Sequence, residues 1–200
     1  MAWKGYFLEF LHTPEPHIYF GYTFEDDVRK AVEDLLALAR NKDPKVPNKF
    51  VEFCAYNAEQ DKLIYQVVEY TDIDEVDPEA WVDKLIRSYT VLGATNQCIN
   101  SDHILRTIRR KRSALTVNAG LYYELWHGLQ PVMTDNQWDT LAKELVSLQT
   151  RYAFLLPCVN FFDDHFNDFT DDTGMLLPYR DDYFVSILEQ LRRDPTMPKV

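Results

Sequence analysis

The stretch GYFLEFLHTPEPHIYFGYT, residues 5–23, decides the fold class. Two runs dense in aromatic and aliphatic residues, GYFLEFLH (5–12) and HIYFGYT (17–23), flank the turn-forming TPEP. Short β-rich runs around a proline-bearing turn predict an antiparallel hairpin. After it, Thr23 opens a T-x-x-D capping pattern, and Glu25, Asp26 and Asp27 suit the positive end of a helix dipole. Val28, Val32, Leu35 and Leu36 then recur at helical spacing, so the chain predicts a helix over 24–40.

Reading onward, the two prolines of NKDPKVPNK mark a loop, and KFVEFCAYN (49–57) and KLIYQVVEY (62–70) predict a second strand pair. Asp77-Pro78-Glu79 joins a capping side chain, a first-turn proline and an acid, a strong helix start. Trp81, Leu85, Ile86 and Tyr89 share a face of the helix that follows. Residues 1–92 thus predict β-β-α-β-β-α, an α+β antiparallel sheet with helices on one face. Residues 93–200 predict a mostly helical half, packed with the first as one compact unit. Its expected helices are 101–113, 118–129, 135–156, a short one near 160–169, and 181–193. The clearest start is Thr134, whose T-D-N-Q forms a capping box.

Composition bounds the function. Hydrophobic residues make up 46% and charged residues 26%, the balance of a folded globular chain. No apolar run is long enough to span a bilayer, and the opening MAWKGYFLEF lacks the pattern of a secretory signal. Cys54, Cys98 and Cys158 are odd in number and contain no CxxC pair, which fits free thiols in a reducing, cytoplasmic setting. A net charge of −11 disfavours general binding to polyanions. There is no Walker loop, no G-x-G-x-x-G, no H-E-x-x-H and no G-x-S-x-G, so no familiar cofactor or hydrolase signature is present and no cofactor is expected.

The acids are concentrated. FFDDHFNDFTDDTG, residues 161–174, holds Asp163, Asp164, Asp168, Asp171 and Asp172. It fails as a calcium loop: counted from Asp163, the sixth position is Asp168 where glycine is required; counted from Asp168, the twelfth is Tyr179 where glutamate is required. Phe162, Phe166 and Phe169 instead predict a short amphipathic helix with aspartates on its outer side. These five aspartates are the candidate partner-binding residues. Opposing them is RTIRRKR, where Arg106, Arg109, Arg110, Lys111 and Arg112 are candidates for contact with an anion or nucleic acid. His12, His17 and Glu15 at the hairpin mouth, and Cys98 beside His103, are weaker constellations that read better as ordinary structure.

Three functions compete. The leading one is a non-catalytic acidic module that binds a protein with a basic surface, with an inhibitor mimicking nucleic-acid phosphates as its special case. The alternatives are an enzyme built on the Asp163–Asp168 cluster, with or without a divalent metal, and a nucleic-acid or anion binder acting through residues 106–112.

Overall fold

The structure is a computed structural model that describes residues 3–11, 17–58, 65–70, 77–94, 97–124, 129–171 and 173–193. It is α+β, with an antiparallel sheet at the N-terminus and a mostly helical second half. The chain divides into two compact units, residues 1–104 and 105–200.

In the first unit, β1 (Lys4–Phe10) lies between β2 (His17–Thr23) and β3 (Tyr65–Tyr70), antiparallel to both. The register pairs Leu8 with Tyr19 and Val67, so these side chains share one face. On that face Tyr6, Leu8 and Phe10 form a core with Val32 and Leu36 of α1 (Val28–Arg40) and Phe50 and Cys54 of α2 (Asn48–Ala58). On the other face Gly5 and Phe20 meet α3 (Pro78–Val91): Phe20 packs edge-on against Tyr89 at 5.2 Å, Trp81 covers Gly5 and Tyr70, and Phe7 packs beside Phe20 and Tyr70. A Cβ on Gly5 would collide with the Trp81 ring. Glycine is needed there because a ring lies directly on the backbone.

Two details of the expected sheet are corrected. KFVEFCAYN is helix α2, not a strand, so the sheet has three strands among the described residues. Its aromatic and β-branched residues suit a strand, but Phe50, Phe53 and Cys54 also stand at i, i+3 and i+4. Packing against Phe10 decides for the helix. Helices also cover both faces of the sheet rather than one. Burial along β1 alternates accordingly: Tyr6, Leu8 and Phe10 are buried in the core, while Phe7 and Glu9 of the other face are half-buried. The helix expected from residue 24 begins at Val28. Its cap is Asp27, which accepts from the backbone N–H groups of Arg29 and Lys30, while Thr23 closes a turn by accepting from Glu25. Residues 59–61, which would join the expected second strand pair, the first residues of the 62–70 segment, and Glu15 with His12 lie outside the described residues.

The outer edge of β2 is met by Asn100, near the start of α4 (Ile99–Glu124). The Asn100 side chain accepts from the Phe20 N–H at 2.9 Å and donates to the Phe20 carbonyl at 3.0 Å, as a neighbouring strand would. Beside it Ile18 and Cys98 form a parallel bridge.

The second unit is built on the rest of α4, which is one helix of 26 residues where two were expected. α5 (Asp135–Arg151) carries the anticipated capping box in full, with Thr134 accepting from the Gln137 N–H and the Gln137 side chain accepting from the Thr134 N–H. A 3-10 turn over Ala153–Cys158 follows, and then α6 (Asp163–Phe166) and α7 (Asp182–Arg193). Phe184 and Leu188 of α7 pack with Val117 and Leu121 of α4.

Candidate functional site

The second unit holds every described candidate residue of the acidic stretch, and its geometry begins at a corner. Asn160 and Phe162 both adopt left-handed backbone, at φ 47° and 52°, a conformation costly for a bulky side chain. Phe162 is held there by rings: Phe161 at 4.9 Å, Phe184 at 4.8 Å and Tyr183 at 6.0 Å. This corner turns the chain so that α6 starts with Asp163 pointing toward α4.

There Asp163 meets Arg112, which is wholly buried. Arg112 donates to Asp163 Oδ1 at 2.6 Å, to the Phe161 carbonyl at 2.7 Å and to Gln149 Oε1 at 2.9 Å, and its guanidinium lies 5.0 Å from the centre of the Phe166 ring. Gln149 in turn donates to the Phe166 carbonyl at 3.1 Å. Burial pulls the guanidinium pKa down, and the hydrogen bond and charge of Asp163 pull it back up. Nη2 of Arg112 has no hydrogen-bond partner among the described residues.

The two candidate sets therefore meet inside the protein. Two other members of the basic run are bonded within the chain: Arg109, although exposed, donates to the carbonyls of Val159 at 2.6 Å and Cys158 at 3.3 Å, and half-buried Lys111 pairs with exposed Glu144 at 2.6 Å. Arg106 is half-buried and engaged, whereas Arg110 is exposed. Of the acids, Asp164 and Asp168 are exposed and Asp171 half-buried, none paired with a cation among the described residues; Asp172 lies outside them. α6 is a single turn ending at Phe166, so Asp168 and Asp171 follow it in irregular chain. Like charges that would repel along a longer helix are thereby spared that arrangement.

A cleft of about 170 Å³ opens beside this stretch, lined by Tyr122 and Tyr123 at the end of α4, Asp135, Trp138 and Asp139 of α5, and Gly174. Its walls are fixed. Tyr123 stacks on Tyr179 with planes 18° apart, and its hydroxyl lies 3.1 Å from Thr173 Oγ1. Trp138 packs edge-on against Phe169 and lies so close to Gly174 that an added Cβ would stand 3.1 Å from the indole. Tyr122, by contrast, is 53% exposed. No motif or charge run in the sequence marks these residues. A signal is nonetheless present: adjacent tyrosines on a helix cannot both face one core, and Asp135 and Asp139 stand at i, i+4 with no base between them.

Cys98 is fully buried, and burial pushes its thiol pKa up, away from the thiolate a nucleophile needs. Among the described residues no three histidine, cysteine, aspartate or glutamate side chains are grouped to hold a metal ion, and no helix is long and apolar enough to cross a membrane. Trp126-His127-Gly128, where a histidine would suit the C-terminal dipole of the helix expected over 118–129, lies outside the described residues. In comparisons with known proteins, the chain matches no family model, no curated protein and no solved structure.

Proposed function

We propose that this protein is a non-catalytic binding module whose second unit presents acidic surface to a protein with a basic face. One observation carries the reading: Asp164 and Asp168 are exposed and paired with no cation among the described residues, yet they sit on a stretch pinned from below by the Arg112–Asp163 pair and the buried Phe166 ring. Charges held on a fixed base lose little freedom on association, so they favour complementary surfaces and fast encounter. Asp163 itself supports the site rather than forming its contact surface. Inhibition of a nucleic-acid-binding partner by phosphate mimicry is the narrower form of this proposal, resting on the same carboxylates.

The basic-run alternative is weakened, because Arg112 is buried and Arg109 and Lys111 are already bonded to acceptors of this chain. Affinity capture with the intact chain tests the proposal, followed by titration of the captured protein against Asp164→Lys/Asp168→Lys. A basic partner whose affinity falls at least tenfold with this variant, and falls with added salt, is the expected result. Capture of no basic protein, or of one that binds the variant unchanged, overturns it.

A further inference from the structure

The cleft at the end of α4 combines features that the acidic stretch alone lacks. Two carboxylates, Asp135 and Asp139, stand on one side, neither in an ion pair among the described residues. The Trp138 ring comes from the same helix as these carboxylates, and the end of α4 adds the rings of Tyr122 and Tyr123, perpendicular to each other at 5.1 Å and 80°. Aromatic faces attract cations, and they do so most when carboxylates beside them complete the neutralisation. The positive end of the α5 dipole also faces this region and opposes a cation, but it amounts to roughly half a charge against two full negative ones.

Building on the proposed acidic binding function, we propose that this cleft receives the guanidinium of an arginine side chain from the basic partner. Arginine fits better than lysine on three grounds. Its planar head stacks on a ring, it donates to a carboxylate through two parallel N–H groups, and it is more weakly hydrated and so leaves water more readily. Acidic walls with ring faces at about 170 Å³ suit one such head group and its nearest methylenes, not a folded surface. The partner is thus gripped in two ways: Asp164 and Asp168 attract from outside, while the cleft holds a single side chain.

The test uses the full-length protein and two blocked peptides of equal charge, acetyl-(Gly-Arg)4-amide and acetyl-(Gly-Lys)4-amide, titrated while the indole N–H signal of Trp138 is followed by NMR. The arginine peptide is expected to bind about fivefold or more tighter than the lysine peptide. Asp139→Asn and Tyr122→Ala should each weaken it about tenfold, whereas Tyr122→Phe, which keeps the ring, and Glu33→Gln, which removes an exposed charge in the other unit, should not. Equal affinity for the two peptides, or indifference to Asp139→Asn and Tyr122→Ala, overturns the inference. If those variants are silent while Asp164→Lys/Asp168→Lys abolishes peptide binding, the acidic-module reading survives and the cleft assignment falls. If all are silent, both fall.

Discussion

Arg112 donates a hydrogen bond to Asp163 across 2.6 Å, joining a wholly buried cation to a partly exposed carboxylate 51 positions further along the chain. Each residue stands in a run of like charge, and each is the member that the fold withdraws from that run. A cation with 0% exposure depends on its partner, because water cannot replace it.

Removing the carboxylate should therefore be costly. Asp163→Ala is expected to destabilise the protein by about 3 kcal/mol, the lower end for a broken buried pair because Asp163 retains some solvent. Arg112→Met/Asp163→Ala should cost less than the two single changes added together, with a coupling of about 1 kcal/mol or more. Urea unfolding of the four proteins measures this; strict additivity would show that the pair contributes nothing as a pair.

Asn100 offers a second measurement. Asn100→Ala leaves the N–H and carbonyl of Phe20 without their side-chain partner, at about 1–3 kcal/mol. Asn100→Asp keeps the acceptor but sets a carboxylate against the Phe20 carbonyl, so it should be no milder than alanine. An aspartate variant as stable as the wild type would show that the bond to the carbonyl is dispensable.

Gly5→Ala forces a methyl into the Trp81 ring, with an expected loss of about 1–3 kcal/mol from overpacking. Shrinking the ring in Gly5→Ala/Trp81→Leu should restore part of it relative to Trp81→Leu alone. Thermal melts report the difference, and a silent Gly5→Ala would mean the ring moves aside freely.

Stability should also decline at alkaline pH. Burial pushes the Cys54 thiol from 9.0 up to about 12, against a smaller opposing influence of Arg40. A raised acid favours its protonated form in the fold, so the folded state binds more protons than the unfolded one between those values. Its contribution is full below pH 9 and is lost as pH climbs toward 12. Cys54→Ala should flatten the decline by at most about 1.4 kcal/mol per pH unit. Tyr6, which burial also shifts upward, accounts for part of what remains. Urea midpoints at pH 9, 10 and 11 are the readout; parallel curves for the variant and wild type would reject this role for Cys54.

The hairpin, the caps at Asp77 and Thr134, and the helical second half were legible in the sequence because their signals are local. A capping box spans four residues and needs nothing distant. The segment 49–57 was not legible, since Phe50, Phe53 and Cys54 satisfy both a strand's composition and a helix's spacing, and only the core chooses. The candidate site was half legible. Clustered aspartates mark acidic surface without revealing that Asp163 turns inward, because that follows from Arg112 packing beneath the Phe161–Phe162 corner. The cleft was missed for a related reason: Tyr122, Trp138 and Gly174 come from three separate segments and mean little until brought together.

The bonds from Asn100 to Phe20 carry a consequence for how this chain behaves in company. An outer strand normally offers a row of open N–H and carbonyl groups on which another chain can build, the first step toward sheet-driven aggregation. Here the middle of β2 is already occupied by a side chain, with the Ile18–Cys98 bridge beside it. The Asn100 amide and the Ile18–Cys98 bridge together close the middle of this edge, and leave Phe20 unable to recruit a neighbour.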